Sequence, residues 1–137
     1  MARKDTKMLG KKLKGRWRIV EMDQWDKAFI DLVEPGYIEF LDNGFGSFHF
    51  GCIYANIDYR VDEQGKTEFS FYGDDEGQEI FGRGWTKIDN KGLYGGLFFH
   101  EGEESEFQAA KESLVKPRGI LKRSLINPFI NEGRRFA

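Results

Sequence analysis

The residues best suited to chemistry lie in two short stretches of this sequence. His100 is followed by Glu101 and Ser105, and Asp74-Asp75-Glu76 is the densest run of charge. A histidine titrating near its ordinary pKa of about 6.5 can act as a base at neutral pH. Histidine, carboxylate and hydroxyl are also the residue types of a hydrolytic triad. His100 with Asp74, Asp75 or Glu101 is therefore the candidate catalytic set for a small hydrolase or isomerase. Against it, Ser105 has no Gly-x-Ser-x-Gly turn around it, and a histidine ending a strand can be purely structural. The three carboxylates could touch a hard cation, but calcium takes about six to eight oxygens and no spaced calcium loop surrounds them. The plainer reading is a solvated hairpin tip. His49, Cys52 and His100 are not spaced as zinc ligands, and no metal is expected. No phosphate loop, dinucleotide fingerprint or HExxH motif occurs, so no cofactor is expected.

A second chemistry is binding. The chain has 13 Phe and is 15% aromatic. Phe48, Phe50, Tyr59, Phe69, Phe71, Trp85 and Phe99 fall on strand-like runs and are expected to line a pocket for a small apolar or aromatic ligand. Arg60 and Arg83 stand near Asp58 and Glu68. Facing inward they would hold an anion; facing outward they would form cross-strand ion pairs.

These residues need a scaffold, and the charge pattern outlines one. Residues 1–18 carry eight Lys/Arg against Asp5, and residues 112–137 carry six against Glu112 and Glu132. Residues 19–111 hold seven Lys/Arg against 20 Asp/Glu, a balance of −13. The expected organisation is a basic arm over 1–14, a barrel domain over 15–111 and a basic tail over 112–137. An acidic body argues against nucleic acid, whose binding depends on a cationic surface. A protein partner for the arms or for the acidic 74–76 loop is the alternative, its identity unknown. No run approaches the roughly 20 apolar residues of a membrane-spanning helix, so no membrane partner is expected. Cys52 is the one cysteine, which fits a reducing cytoplasm.

Along the chain, residues 15–22 alternate as a first strand, with Trp17 and Ile19 on one face and Val20 and Met22 on the other. The period then changes. Trp25, Phe29, Leu32 and Val33 make one helical stripe over about 24–33, with Asp23 placed to cap it and Pro35-Gly36 to stop it. From residue 37 the punctuation becomes regular. Strands over 37–41, 45–50, 53–61, 67–72, 79–88, 93–100 and 105–110 are separated by short turns such as Asp42-Asn43-Gly44. Eight strands joined by short turns form an antiparallel up-and-down meander, which loses its edges by closing. The fold class is thus mainly all-β, a closed or nearly closed barrel with a short helix, an open curved sheet being the alternative. Gly82, Gly84, Gly95 and Gly96 lie inside strands, where they allow sharp curvature. Ile120, Leu121, Leu125 and Ile126 give the tail a possible C-terminal helix.

Gly15-Arg16-Trp17 ahead of this meander resembles the Gly-x-Trp signature of lipocalins and related calycin barrels. The resemblance implies that Trp17 plugs one barrel end under a basic residue from a late strand, for which Arg83 or Lys87 is the expected counterpart. The pattern from Trp17 to Phe107, especially FxFGxxxxxxDYR, FxFxGxDE, GRGW and GLFFHxGxxSxF, also resembles a family of small uncharacterised bacterial proteins. Together these features imply a non-catalytic ligand-binding module, with a scaffold or interaction protein as the alternative.

Overall fold

The computed structural model describes residues 11–112. The possible C-terminal helix lies outside the described residues. Eight strands follow one another: β1 (Gly15–Met22), β2 (Tyr37–Phe40), β3 (Phe45–Phe50), β4 (Ile53–Val61), β5 (Thr67–Asp75), β6 (Gln78–Asp89), β7 (Gly92–Phe99) and β8 (Glu104–Lys111). A single turn of helix, α1 (Lys27–Ile30), sits between β1 and β2. Each strand pairs antiparallel with the next, and β1 pairs with β8 to close the barrel. The meander is as expected, and its closed form is the one adopted.

Closure requires curvature, and the glycines allow it. A Cβ on Gly46, Gly73, Gly82 or Gly95 would collide with the carbonyl oxygen of Glu39, Tyr54, Phe98 or Trp85 on the adjoining strand. β1 bends by another device: its register against β8 slips between Ile19 and Glu21. One extra residue there switches the alternation. Trp17, Ile19 and Met22 are consequently all buried and Val20 is exposed, which corrects the two-faced reading of this strand.

The interior is filled by rings. Phe40, Phe48 and Phe50 are each at most 1% exposed. The rings of Phe48 and Phe71 meet edge-on at 5.0 Å, and those of Phe71 and Phe99 at 5.1 Å. The Phe69 ring lies over Gly84, and Phe71 Cζ would stand 2.9 Å from a Cβ on Gly82. These glycines therefore do two jobs, easing the bend and leaving room for a phenylalanine.

Both ends are covered by the chain's own residues. At one end residues 11–13 form a helical turn whose Leu13 is 2% exposed. The last residues of the basic arm thus carry an apolar anchor that their charge concealed. Trp17 Nε1 donates to the Leu13 carbonyl at 2.8 Å. Lys111, from β8, lies over the Trp17 ring with Nζ 4.6 Å from its centre, and donates to the carbonyls of Lys12, at 3.2 Å, and Lys14. Cations favour the carbonyl end of a helical turn and the face of an indole. The late-strand basic residue over Trp17 is therefore Lys111. Arg83 and Lys87 stand on the outer face of β6 instead. Gly15 has φ +115°, and a Cβ there would press on Lys111 Nζ at 3.1 Å, so the position needs glycine twice over.

At the other end α1 closes the barrel. Its length corrects the sequence reading: Asp26, not Asp23, caps it by accepting from Phe29 N at 2.9 Å. Asp31 ends it by accepting from Gly36 N at 2.8 Å. Leu32 and Val33 are left exposed and Ile30 takes the buried place. Trp25 packs on Phe50 at 4.8 Å, and the Gly51 amide donates to the Ile30 carbonyl at 3.0 Å.

Trp17→Ala is expected to lower the unfolding free energy by about 3–5 kcal/mol, the usual cost of emptying a buried aromatic site. Denaturant titration checks this, and a loss below about 1 kcal/mol would make Trp17 peripheral to the core.

Candidate functional site

The expected pocket residues divide by strand register. Phe48, Phe50, Phe69 and Phe71 point inward, no more than 5% exposed, and pack on one another. Phe99 joins them at the α1 end, 6.1 Å from Trp25. Tyr59 is half-buried, its ring 5.0 Å from Phe40 and its hydroxyl donated to the Leu41 carbonyl. Trp85 is not among them. It pairs with the exposed Glu68, while its neighbour Gly84 pairs with the buried Phe69, so its indole lies outside, flat over Gly96. The interior positions are occupied by this packed cluster.

The catalytic candidates are similarly dispersed. His100 stands half-exposed, its ring stacked on Phe81 at 4.7 Å and its Nε2 3.8 Å from a Glu101 oxygen. Asp74 accepts from Gly77 N at 3.0 Å and shapes the two-residue hairpin Glu76-Gly77. The acidic run therefore belongs to the end of β5 and a tight turn, the strand running past the end expected at residue 72. Asp75 pairs with Gln78 in the same ladder. Ser105 is 3% exposed and donates its hydroxyl to Asp23 at 2.6 Å, while Asp23 also accepts from Glu106 N at 2.8 Å. The Ser105 hydroxyl, with these backbone bonds, holds the Asp23 carboxyl below its ordinary pKa. Ser105 is thus a clip joining β8 to the end of β1, and that use of Asp23 explains why it does not cap α1. Burial, then the nearby Glu76 carboxylate, push the Cys52 thiol up, which keeps it protonated. Among the described residues no three His, Cys, Asp or Glu gather to hold a metal ion.

What the structure brings together lies outside, across β5, β6 and β7. Outward residues on neighbouring strands form rows. Asp74 pairs with Glu79; Tyr72 pairs with Phe81, which stacks on His100; Ser70, Arg83 and Phe98 form the next row. Tyr72 is 57% and Phe81 50% exposed, large values for rings of this size. The Tyr72 hydroxyl donates to Glu79 at 3.1 Å. The Arg83 guanidinium lies 4.9 Å from the centre of the Phe98 ring. Arg83 also separates two surface depressions. One of about 450 Å³ is lined by Asp58, Arg60, Lys66, Glu68 and Trp85, the other of about 420 Å³ by Phe81, Phe98, His100 and Glu104. Arg60 and Arg83 face outward on β4 and β6, with β5 between them. Neither has a carboxylate within 4 Å among the described residues, so the expected ion pairs are not made. Alternation marked the strands, but it could not say which aromatics would fall on the outer face in one patch.

His49 lies on β3. It points outward yet is 0% exposed, stacked on Tyr54 at 4.0 Å with Tyr37 on its other side. Its Nδ1 meets the Ile53 carbonyl at 2.9 Å, while Nε2 is buried without a partner among the described residues. Arg16, Glu34 and Asp31 are the charged groups around it. Burial dominates and lowers the His49 pKa from its ordinary value.

Comparison with family models, curated proteins and solved structures finds no match to this chain. The eight-stranded antiparallel barrel is compatible with a lipocalin-like fold.

Because the folded state disfavours protonated His49, its contribution to stability is full above about pH 6.5 and falls as pH drops below that value. Melting between pH 7.5 and 5 should show wild type losing stability and His49→Gln losing less. Equal slopes would remove His49 as the cause.

Proposed function

We propose that this protein is a non-catalytic interaction module. Its barrel is the scaffold, and the outer face of β5–β7 is the working surface. The observation that carries this reading is the patch of Tyr72, Phe81, His100 and Phe98 around Arg83, which has no carboxylate within 4 Å among the described residues. Folded domains rarely leave such rings together in water unless something covers them. Aromatic residues and arginine are also the types that dominate binding energy at interfaces. A packed interior supports the same reading, since a module that binds outside needs a stiff frame rather than a cavity. A calycin relationship is part of the proposal, supported by Gly15, Trp17 and the Lys111 contact over the indole. A cytoplasmic setting suits the lone thiol of Cys52.

Photo-crosslinking in cells tests the reading. A benzophenone side chain placed at position 81 should give a discrete adduct, whereas the same group at Leu41, an exposed site at the opposite end of the barrel wall, should give none. No adduct at 81, or equal labelling at both sites, would overturn it.

A further inference from the structure

The order of charges along β6 identifies what can cover the patch. Glu79, Phe81 and Arg83 are successive outward residues of this strand, so one line reads acid, ring, base. The neighbouring strands extend the acidic and ring rows, while the row through Arg83 runs Asp58, Ser70, Arg83, Phe98 and Glu104, so the base lies on β6 alone. Asp74 stands beside Glu79, Tyr72 and His100 flank Phe81, and Phe98 lies beside Arg83. The end beyond Asp74 is the acidic hairpin of Asp75 and Glu76, and the opposite end carries Arg60 and Lys66 beside Glu68. The β6 line of Glu79, Phe81 and Arg83 is complementary to itself when turned end for end.

Resting on the interaction reading above, we infer that the partner is a second copy of this chain, related by a twofold axis that runs between the two faces, perpendicular to β6 and level with Phe81. Such an axis lays β6 antiparallel over β6 of the partner subunit. Phe81 meets its counterpart, and Glu79 of each copy faces Arg83 of the other. Twofold interfaces are formed by one patch used twice, so each favourable contact occurs in duplicate. Facing sheets stand about 10 Å apart, a gap that arginine and glutamate span from opposite sides. The arrangement gives Arg83 a carboxylate, which it lacks within 4 Å among the described residues. It also covers the two most exposed rings of the patch, Tyr72 and Phe81. A closed barrel has no free strand edge, so side chains alone must make the contact. Convex faces meet over a limited area, which puts the dimer in the range of small interfaces with dissociation constants on the order of micromolar.

Sedimentation equilibrium of the full chain decides the matter, read against its 15.9 kDa mass. Wild type should move from one to two chains across a micromolar concentration series. Phe81→Ser should weaken association at least about tenfold. Arg83→Glu and Glu79→Arg, each alone, should do the same, because each sets like charges opposite one another in both halves of the interface. Mixing Arg83→Glu chains with Glu79→Arg chains should restore association, since both duplicated pairs are then complementary. Circular dichroism of every variant confirms that the barrel is intact. A wild type that stays monomeric to about millimolar, or a mixture that fails to associate, overturns the second-copy inference. If the position-81 crosslink then joins a protein of a different mass, the interaction reading stands without it; if no crosslink forms, both fall.

Discussion

The ladder between β1 and β8 is the constraint on which the rest of the molecule depends. A meander left open would expose a row of unpaired amides and carbonyls at each edge, a template for indiscriminate pairing. Closing it requires every strand to tilt and coil, and the chain provides for this locally. Four glycines sit where a side chain would strike the neighbouring strand, and a one-residue slip in β1 turns Met22 inward. The end of the same ladder brings Lys111 over Trp17, so closure and plugging are one event.

Closure also decides where recognition can occur. The inward positions of eight strands converge on a narrow space, and phenylalanines fill it against glycine backbones. Leu13 and Trp17 cover one end, and Trp25, Phe29 and Ile30 the other. With the interior packed and no strand edge among the described residues, the proposed interaction rests on side chains of the outer wall. The exposed rings of Tyr72 and Phe81 lie on that wall, with Glu79 and Arg83 on either side of Phe81 along β6.

Polar groups near the ends show how tertiary contacts redirect local chemistry. Asp23 is well placed in sequence to cap a helix, yet Ser105 and the Glu106 amide claim its carboxylate from across the barrel. Asp26 then takes the cap, and the helix begins later and stays short. Ser105, which beside His100 resembles part of a triad, is thereby a structural hydroxyl. His49, on an outward strand position, is covered by Tyr37 and Tyr54 and becomes a buried base instead of a surface one.

Strand positions, turns and the antiparallel meander were legible in the sequence, because alternation and Gly/Asn turn chemistry act over a few residues. The inward set Phe48, Phe50, Phe69 and Phe71 was legible for the same reason. Trp85 was not, because period-two alternation gives two faces without naming which one is inside, and Gly84 beside it left no apolar marker. The bulge in β1, the Lys111 partner of Trp17 and the Asp23–Ser105 clip join residues far apart in sequence. No local pattern encodes such pairs; they exist only once closure fixes the register between the first strand and the last. The outer patch has the same origin, since Tyr72, Phe81, Phe98 and His100 become neighbours only when three strands are in register.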